Sequence, residues 1–187
     1  MNTGQTMLVI GAFTLLSALT LAINGTILSS ASLGYQMEAN LNALSLGQSL
    51  LDEVMTRDFD EAVTNDRRVY KYSAMTPVAN LGPDGAEAIG HVDSSYTGVY
   101  LSQTRFDDVD DYHNYTRKAW DTRLGWFTLR VTIAYIDETN PNNPAPNPPS
   151  WQKCITVSIT NYSMPLDANG NPLVYTLKDI AVYRKYF

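Results

Sequence analysis

Hydrophobic and polar positions divide this chain before any motif does. Met7 to Ile23 reads MLVIGAFTLLSALTLAI, uncharged and broken only by Thr14, Ser17 and Thr20. A hydroxyl on a helix can donate back to its own backbone carbonyl, so these three are tolerable in an apolar setting. Carried on through Asn24-Gly25-Thr26, the run from Met7 to Leu28 counts 22 residues. At about 1.5 Å per residue that crosses a hydrocarbon layer of roughly 30 Å. The first proline is Pro77, so nothing earlier forbids one continuous helix. A cleaved secretory signal would have a shorter apolar region with a basic residue before it. A buried core helix would not be apolar all round at the very start of a chain. A plain signal anchor is the serious rival.

Residues 35–62, YQMEANLNALSLGQSLLDEVMTRDFDEA, change the period. Met37, Leu41, Leu44, Leu51 and Met55 recur at steps of three and four or their sum, and Leu46, Leu50 and Val54 widen the set. That predicts an amphipathic helix with one buried stripe, continuous with the apolar segment. No Gly-, Pro- or Ser-rich tether separates the two.

Further on the period falls to two. Phe127, Leu129, Val131, Ile133 and Tyr135 alternate with Thr128, Arg130, Thr132 and Ala134, and Ile155, Val157 and Ile159 alternate with hydroxyl residues. Both stretches predict half-buried strands. A third strand is expected over Val174–Tyr186, after a turn at Asn169-Gly170. Short polar connections favour antiparallel pairing. Residues 139–150, TNPNNPAPNPPS, hold five of nine prolines and predict a stiff, protruding loop that does not pair. Within 63–124 only Val69–Ala74 and Tyr96–Thr104 suggest further strands. The expected fold is α+β, a long N-terminal helix packed on a C-terminal antiparallel sheet. Its parts are 1–60 (1–28 apolar, 29–60 amphipathic) and a β-rich domain over 61–187.

Charge sharpens this division. No Asp, Glu, Lys or Arg precedes Glu38, so all 32 charged residues (13 basic, 19 acidic) lie beyond the apolar half. The net charge of −6 and the lack of a basic cluster argue against nucleic acid as a partner. One cysteine, Cys154, excludes an internal disulfide and a cysteine-built zinc site.

At this point the chain resembles the type IV pilin and pseudopilin superfamily. The resemblance rests on MNTGQTMLVIGAFTLLSALTLAI, on LSLGQSLLDEVMTRDFDEA, and on the β-rich half that follows. It implies a structural subunit of an extracellular type IV pilus-like filament, with no catalytic residues. Such a subunit sits in the inner or cytoplasmic membrane, then joins identical subunits in a helical homopolymer at the cell surface. Where a leader is processed, a prepilin peptidase and an assembly machinery are also partners. Assembly through the helix core would engage Met1, Gln5, Gly11, Ala12, Ser17, Ala18 and Ala22, whose small side chains permit close helix approach. Gln5 stands where the family usually has glutamate, so the Met1 amine would need another neutralising partner. Alternatives are a minor pilin or secretion pseudopilin priming a short fibre, which the LLDEVMTRDFDEA ending favours, and a signal-anchored binding domain that never polymerises.

Candidate chemistry is sparse. FDDVDDYHNYT offers Asp108, Asp110 and Asp111 as oxygen ligands for Ca²⁺, although a solvated acidic loop explains them as well. Some members of the superfamily bind calcium. Asp167, Asn169 and Asn171 are spaced like a metal loop but read better as a turn. Sequons at Asn114 and Asn161 are glycosylation candidates. His91 and His113 are isolated; a His113–Asp111 acid–base pair would lack a nucleophile. There is no nucleophile elbow, HExxH or phosphate loop, and no enzyme activity is expected.

Overall fold

The computed structural model describes residues 2–90 and 92–184. Met1, His91, Phe187 and the last two positions of the expected third strand lie outside them. Helix α1 spans Thr3–Met55, without a break where a tether would have to lie. The chain forms two compact units, Met1–Glu38 and Ala39–Phe187, so the last turns of α1 belong with the sheet.

In the first unit, the threonines behave as the pattern predicts. Thr14 donates to the Gly11 carbonyl at 2.9 Å and Thr20 to that of Leu16 at 2.8 Å.

In the second unit, a five-stranded sheet runs in the order β1 (Val92–Ser94), β2 (Thr116–Asp121), β3 (Gly125–Tyr135), β4 (Gln152–Thr160), β5 (Tyr175–Val182). Strands β2 to β5 pair antiparallel, as the alternation predicts, with Val131 opposite Val157 and Val157 opposite Leu177. Phe127, Leu129, Val131, Ile133, Ile155, Val157 and Ile159 all face the core. The turn before β5 also forms as read: Gly170 has φ +82°, and the Asp167 carboxylate accepts the Asn169 and Asn171 N–H groups.

Four expectations need correction. Val69–Ala74 and Tyr96–Thr104 are not strands; they hold a 3-10 turn and the four-residue helix α2 (Ser102–Arg105). The strands of that region are β1, which pairs parallel to its neighbour, and β2. The proline segment does not stand clear of the sheet, because Pro144 bridges to Ile136 and the Ala145 N–H donates to the Tyr135 carbonyl. Prolines there are separated by Asn142, Asn143 and Ala145, whose N–H groups remain able to pair.

Helix α1 ends at Met55 rather than near residue 60. The chain then leaves the helix because its next residues are claimed from outside. Asp58 exchanges backbone hydrogen bonds with Asp107 and Val109, Phe59 enters the core, and Asp60 caps a short 3-10 turn at Glu61–Val63.

The buried face of α1 is the fourth correction. Leu50, Leu51 and Val54 are buried and Leu46 is partly so, but Met37, Leu41, Leu44 and Met55 are exposed. The rest of the inward face is small: Ala39, Ala43 and Gly47. A Cβ on Gly47 would lie 2.7 Å from Ile159 Cδ1 and 2.9 Å from Leu177 Cδ1. The helix therefore rests on strands β4 and β5 at a separation that larger residues forbid. Side-chain size as the sign of burial holds for Leu50, Leu51 and Val54, misplaces Met37, Leu41, Leu44 and Met55, and misses Ala39, Ala43 and Gly47.

Candidate functional site

Helix α1 carries two apolar faces rather than one. At about 100° per residue, Met37, Leu41 and Leu44 lie roughly opposite Ala39, Ala43, Leu50 and Val54. Leu41 is 66 % exposed and Met37 58 %, whereas the opposite set is sealed against the sheet. Before residue 37 the helix is uncharged and unburied, with a mean hydropathy of 2.2 over its most apolar 18 residues. By length and composition it suffices to cross a membrane. Gln5, Ala12, Ser17, Ala18 and Ala22 are exposed, and a Cβ on Gly11 would meet nothing within 4 Å, so among the described residues nothing covers the small side chains.

Two buried charge clusters pin the loops to the sheet, and both escape a reading by pattern. In the first, Arg117 on β2 points inward and grips Glu53 near the end of α1, with Nη1 and Nη2 each 2.8 Å from a carboxylate oxygen. Its Nε donates to the Tyr115 hydroxyl at 3.0 Å, and its guanidinium lies 4.1 Å from the Tyr100 ring centre. Tyr112 donates to Glu53 at 2.8 Å. Burial pushes the Glu53 carboxyl up, but Arg117, Tyr112 and Ser102 outweigh it and hold it below its ordinary value.

In the second cluster Lys153, the first inward residue of β4, is fully buried. Its ammonium donates to the Phe59 carbonyl at 2.7 Å, to Asp60 Oδ2 at 2.8 Å, and to Asp110 Oδ1. Asp60 also accepts from the Ala62 and Thr76 N–H groups and the Thr76 and Tyr135 hydroxyls. Burial raises its carboxyl and the charge of Lys153 more than reverses this, leaving it below the ordinary range. Asp110 differs. Burial, joined by the charge of Asp60, overrides Lys153 and pushes it up to about 6. Its Oδ2 is buried and accepts no hydrogen bond among the described residues.

The structure gives the three aspartates named as calcium ligands separate tasks. Asp110 answers Lys153. Asp108 Oδ1 accepts the Asp111 N–H at 3.1 Å, and Asp111 Oδ2 accepts the N–H groups of Asp107 and Asp108. All three line one cavity of about 240 Å³ with Glu61 and Asp84. Carboxylate oxygens do converge within 4.8 Å in two other sets, Glu61–Asp107–Asp108 and Glu87–Asp107–Asp111.

Asp108 is 1 % exposed, and burial with the charges of Asp110 and Asp111 raises its carboxyl to about 9. An acid raised in the folded state is held protonated there while the unfolded chain releases its proton. Stability then falls as pH rises from about 4 to about 9, by at most about 1.4 kcal/mol per pH unit. Asp108→Asn is expected to melt above the parent chain at pH 8, with the gap narrowing at pH 5. Thermal melts of the detergent-solubilised chain at both pH values check this.

Of the glycosylation candidates, Asn114 is exposed at the surface, with φ +62°. Asn161 is 3 % exposed, and its Nδ2, the nitrogen that would carry a sugar, donates to the Leu124 and Trp126 carbonyls. A glycan at Asn161 is incompatible with this fold. His113 accepts the Ile133 N–H through Nδ1 at 3.2 Å, a structural use of the ring that ties the acidic loop to β3.

No family model matches the chain, and no curated protein or solved structure is significantly similar to it.

Proposed function

We propose that this chain is a structural subunit of a type IV pilus-like filament, held in a membrane before assembly and polymerising through α1. The observation that carries this reading is the second apolar face at Met37, Leu41 and Leu44. Lipid alone is a poor cover for it, because Glu38, Asn40 and Asn42 are interleaved with those residues and charged or amide groups are expensive in hydrocarbon. A protein neighbour satisfies both, and another copy of α1 offers matching apolar and small-residue surface. Head-to-tail contacts between identical subunits propagate a fibre when their rotation does not close into a ring. The apolar half loses little on leaving lipid for a bundle of like helices, since lipid and leucine are equally apolar.

Replacing Leu41 and Leu44 together by glutamate tests this. Each leucine buried in a contact contributes about 1.5–3 kcal/mol, so fibre yield is expected to drop by at least about tenfold. The melting temperature of the unassembled chain should hardly move, because neither side chain touches the core. Electron microscopy of sheared surface material reads the fibres. Undiminished fibres would remove this face from the assembly, and the absence of fibres from the parent chain would leave the signal-anchored, non-polymerising domain as the better reading.

A further inference from the structure

The geometry points to an intramolecular isopeptide bond between Lys153 Nζ and the side-chain carboxyl carbon of Asp110, formed by the folded chain itself, with Asp60 as the base. Lys153 is fully buried and meets Asp110 and Asp60 from a single position on β4. The Phe59 and Tyr135 rings lie 4.5 and 5.0 Å from its nitrogen and screen the group from solvent. A purely electrostatic role fits less well. Two carboxylates against one ammonium leave an excess buried charge, and a retained buried carboxylate normally has both oxygens satisfied. Asp110 Oδ2 accepts no hydrogen bond among the described residues, as suits an oxygen that departs.

The two carboxyls divide the roles. Asp60, with four other donors besides Lys153, is built to stay ionised and to take a proton from the ammonium. Asp110 receives Lys153 on Oδ1, and its Oδ2 accepts no hydrogen bond among the described residues, so it is the carboxyl placed to react. The freed amine attacks the Asp110 carboxyl carbon. A C–N bond forms, the C–Oδ2 bond breaks, and the hydroxyl leaves as water with a second proton from the nitrogen. Lysine ammonium, Asp60 carboxylate and Asp110 acid become an amide, one water and Asp60 acid, with no oxidant or reductant involved. Fixed juxtaposition replaces a bimolecular encounter. The bond would tie the acidic loop to the centre of the sheet across 43 positions of sequence. Its formation does not require polymerisation, so it stands or falls apart from the filament reading.

Peptide mass spectrometry of the full chain, purified in detergent, tests it. Trypsin should yield residues 106–117 joined to 131–178, one water lighter than the sum, with no cleavage after Lys153. Asp110→Asn should give the same link by loss of ammonia, and Asp110→Ala and Lys153→Arg should give none. Asp60→Asn should slow the appearance of the linked species. Should any variant misfold, the parent chain still decides the matter. Linear 106–117 together with cleavage after Lys153 in the folded parent overturns the proposal, and a link from Lys153 to Asp60 overturns the assignment of Asp110.

Discussion

Arg117→Met is expected to destabilise the folded chain by about 3–5 kcal/mol, the usual cost of removing one partner of a buried ion pair. The magnitude follows from what remains. Among the described residues Glu53 keeps the hydroxyls of Tyr112 and Ser102, in a site where its side chain is 11 % exposed. Its carboxyl, now held below its ordinary value, would then rise above it. In the parent chain a lowered carboxyl contributes stability at pH values above its unfolded value, and that contribution is lost as pH falls through the folded one. The deficit of Arg117→Met should therefore be larger at pH 7 than at pH 4, where Glu53 can bind a proton. Adding Glu53→Gln removes the stranded charge and leaves an acceptor for Tyr112, so the double variant should recover much of the loss. Thermal melts of the three variants at the two pH values, as a double-mutant comparison, measure this. Equal deficits at both pH values would show that Arg117 acts by packing alone.

Gly47→Leu is the other change with a large expected effect, about 3 kcal/mol or more. Overpacking alone costs about 1–3 kcal/mol, and here the inserted side chain must displace Ile159, which is fully buried, as well as Leu177. Gly47→Ala is expected to be nearly neutral. Its helix-propensity gain of about 1 kcal/mol is offset by pushing aside the Ile159 and Leu177 side-chain tips. Gly34→Ala, where a Cβ meets nothing within 4 Å, should keep a propensity gain of about 0.8–1 kcal/mol. Melting temperatures falling in the order Gly34→Ala, Gly47→Ala, Gly47→Leu would establish that helix and sheet touch through the small face. A Gly47→Leu chain as stable as the parent would refute it.

Together these contacts explain how one helix can serve two surfaces. Small residues and a buried ion pair fasten its inner side to β2, β4 and β5, leaving Leu41 and Leu44 on the outer side. A helix that buried its larger residues inward would have spent its apolar surface on its own domain. The selection of the small face leaves a greasy exterior that the described residues of this chain do not cover.

What the sequence determined by itself were the features set by near neighbours along the chain. The apolar run to Leu28, the helical period around residues 37–55, the alternation of β3 and β4 and the turn at Asn169-Gly170 depend on spacing over a few residues, and all of them form. Tertiary structure alone decided which helix face is inside, that β2 exists, and where the acidic loop is anchored. Arg117 and Lys153 look like outward positions because each is charged. They point inward because Glu53 lies 64 positions from Arg117, while Asp60 and Asp110 lie 93 and 43 positions from Lys153. Likewise Gly47 gains its meaning only from Ile159 and Leu177. Periodicity records the polarity of a residue, whereas burial depends on whether a distant partner compensates its charge or fills the space beside it.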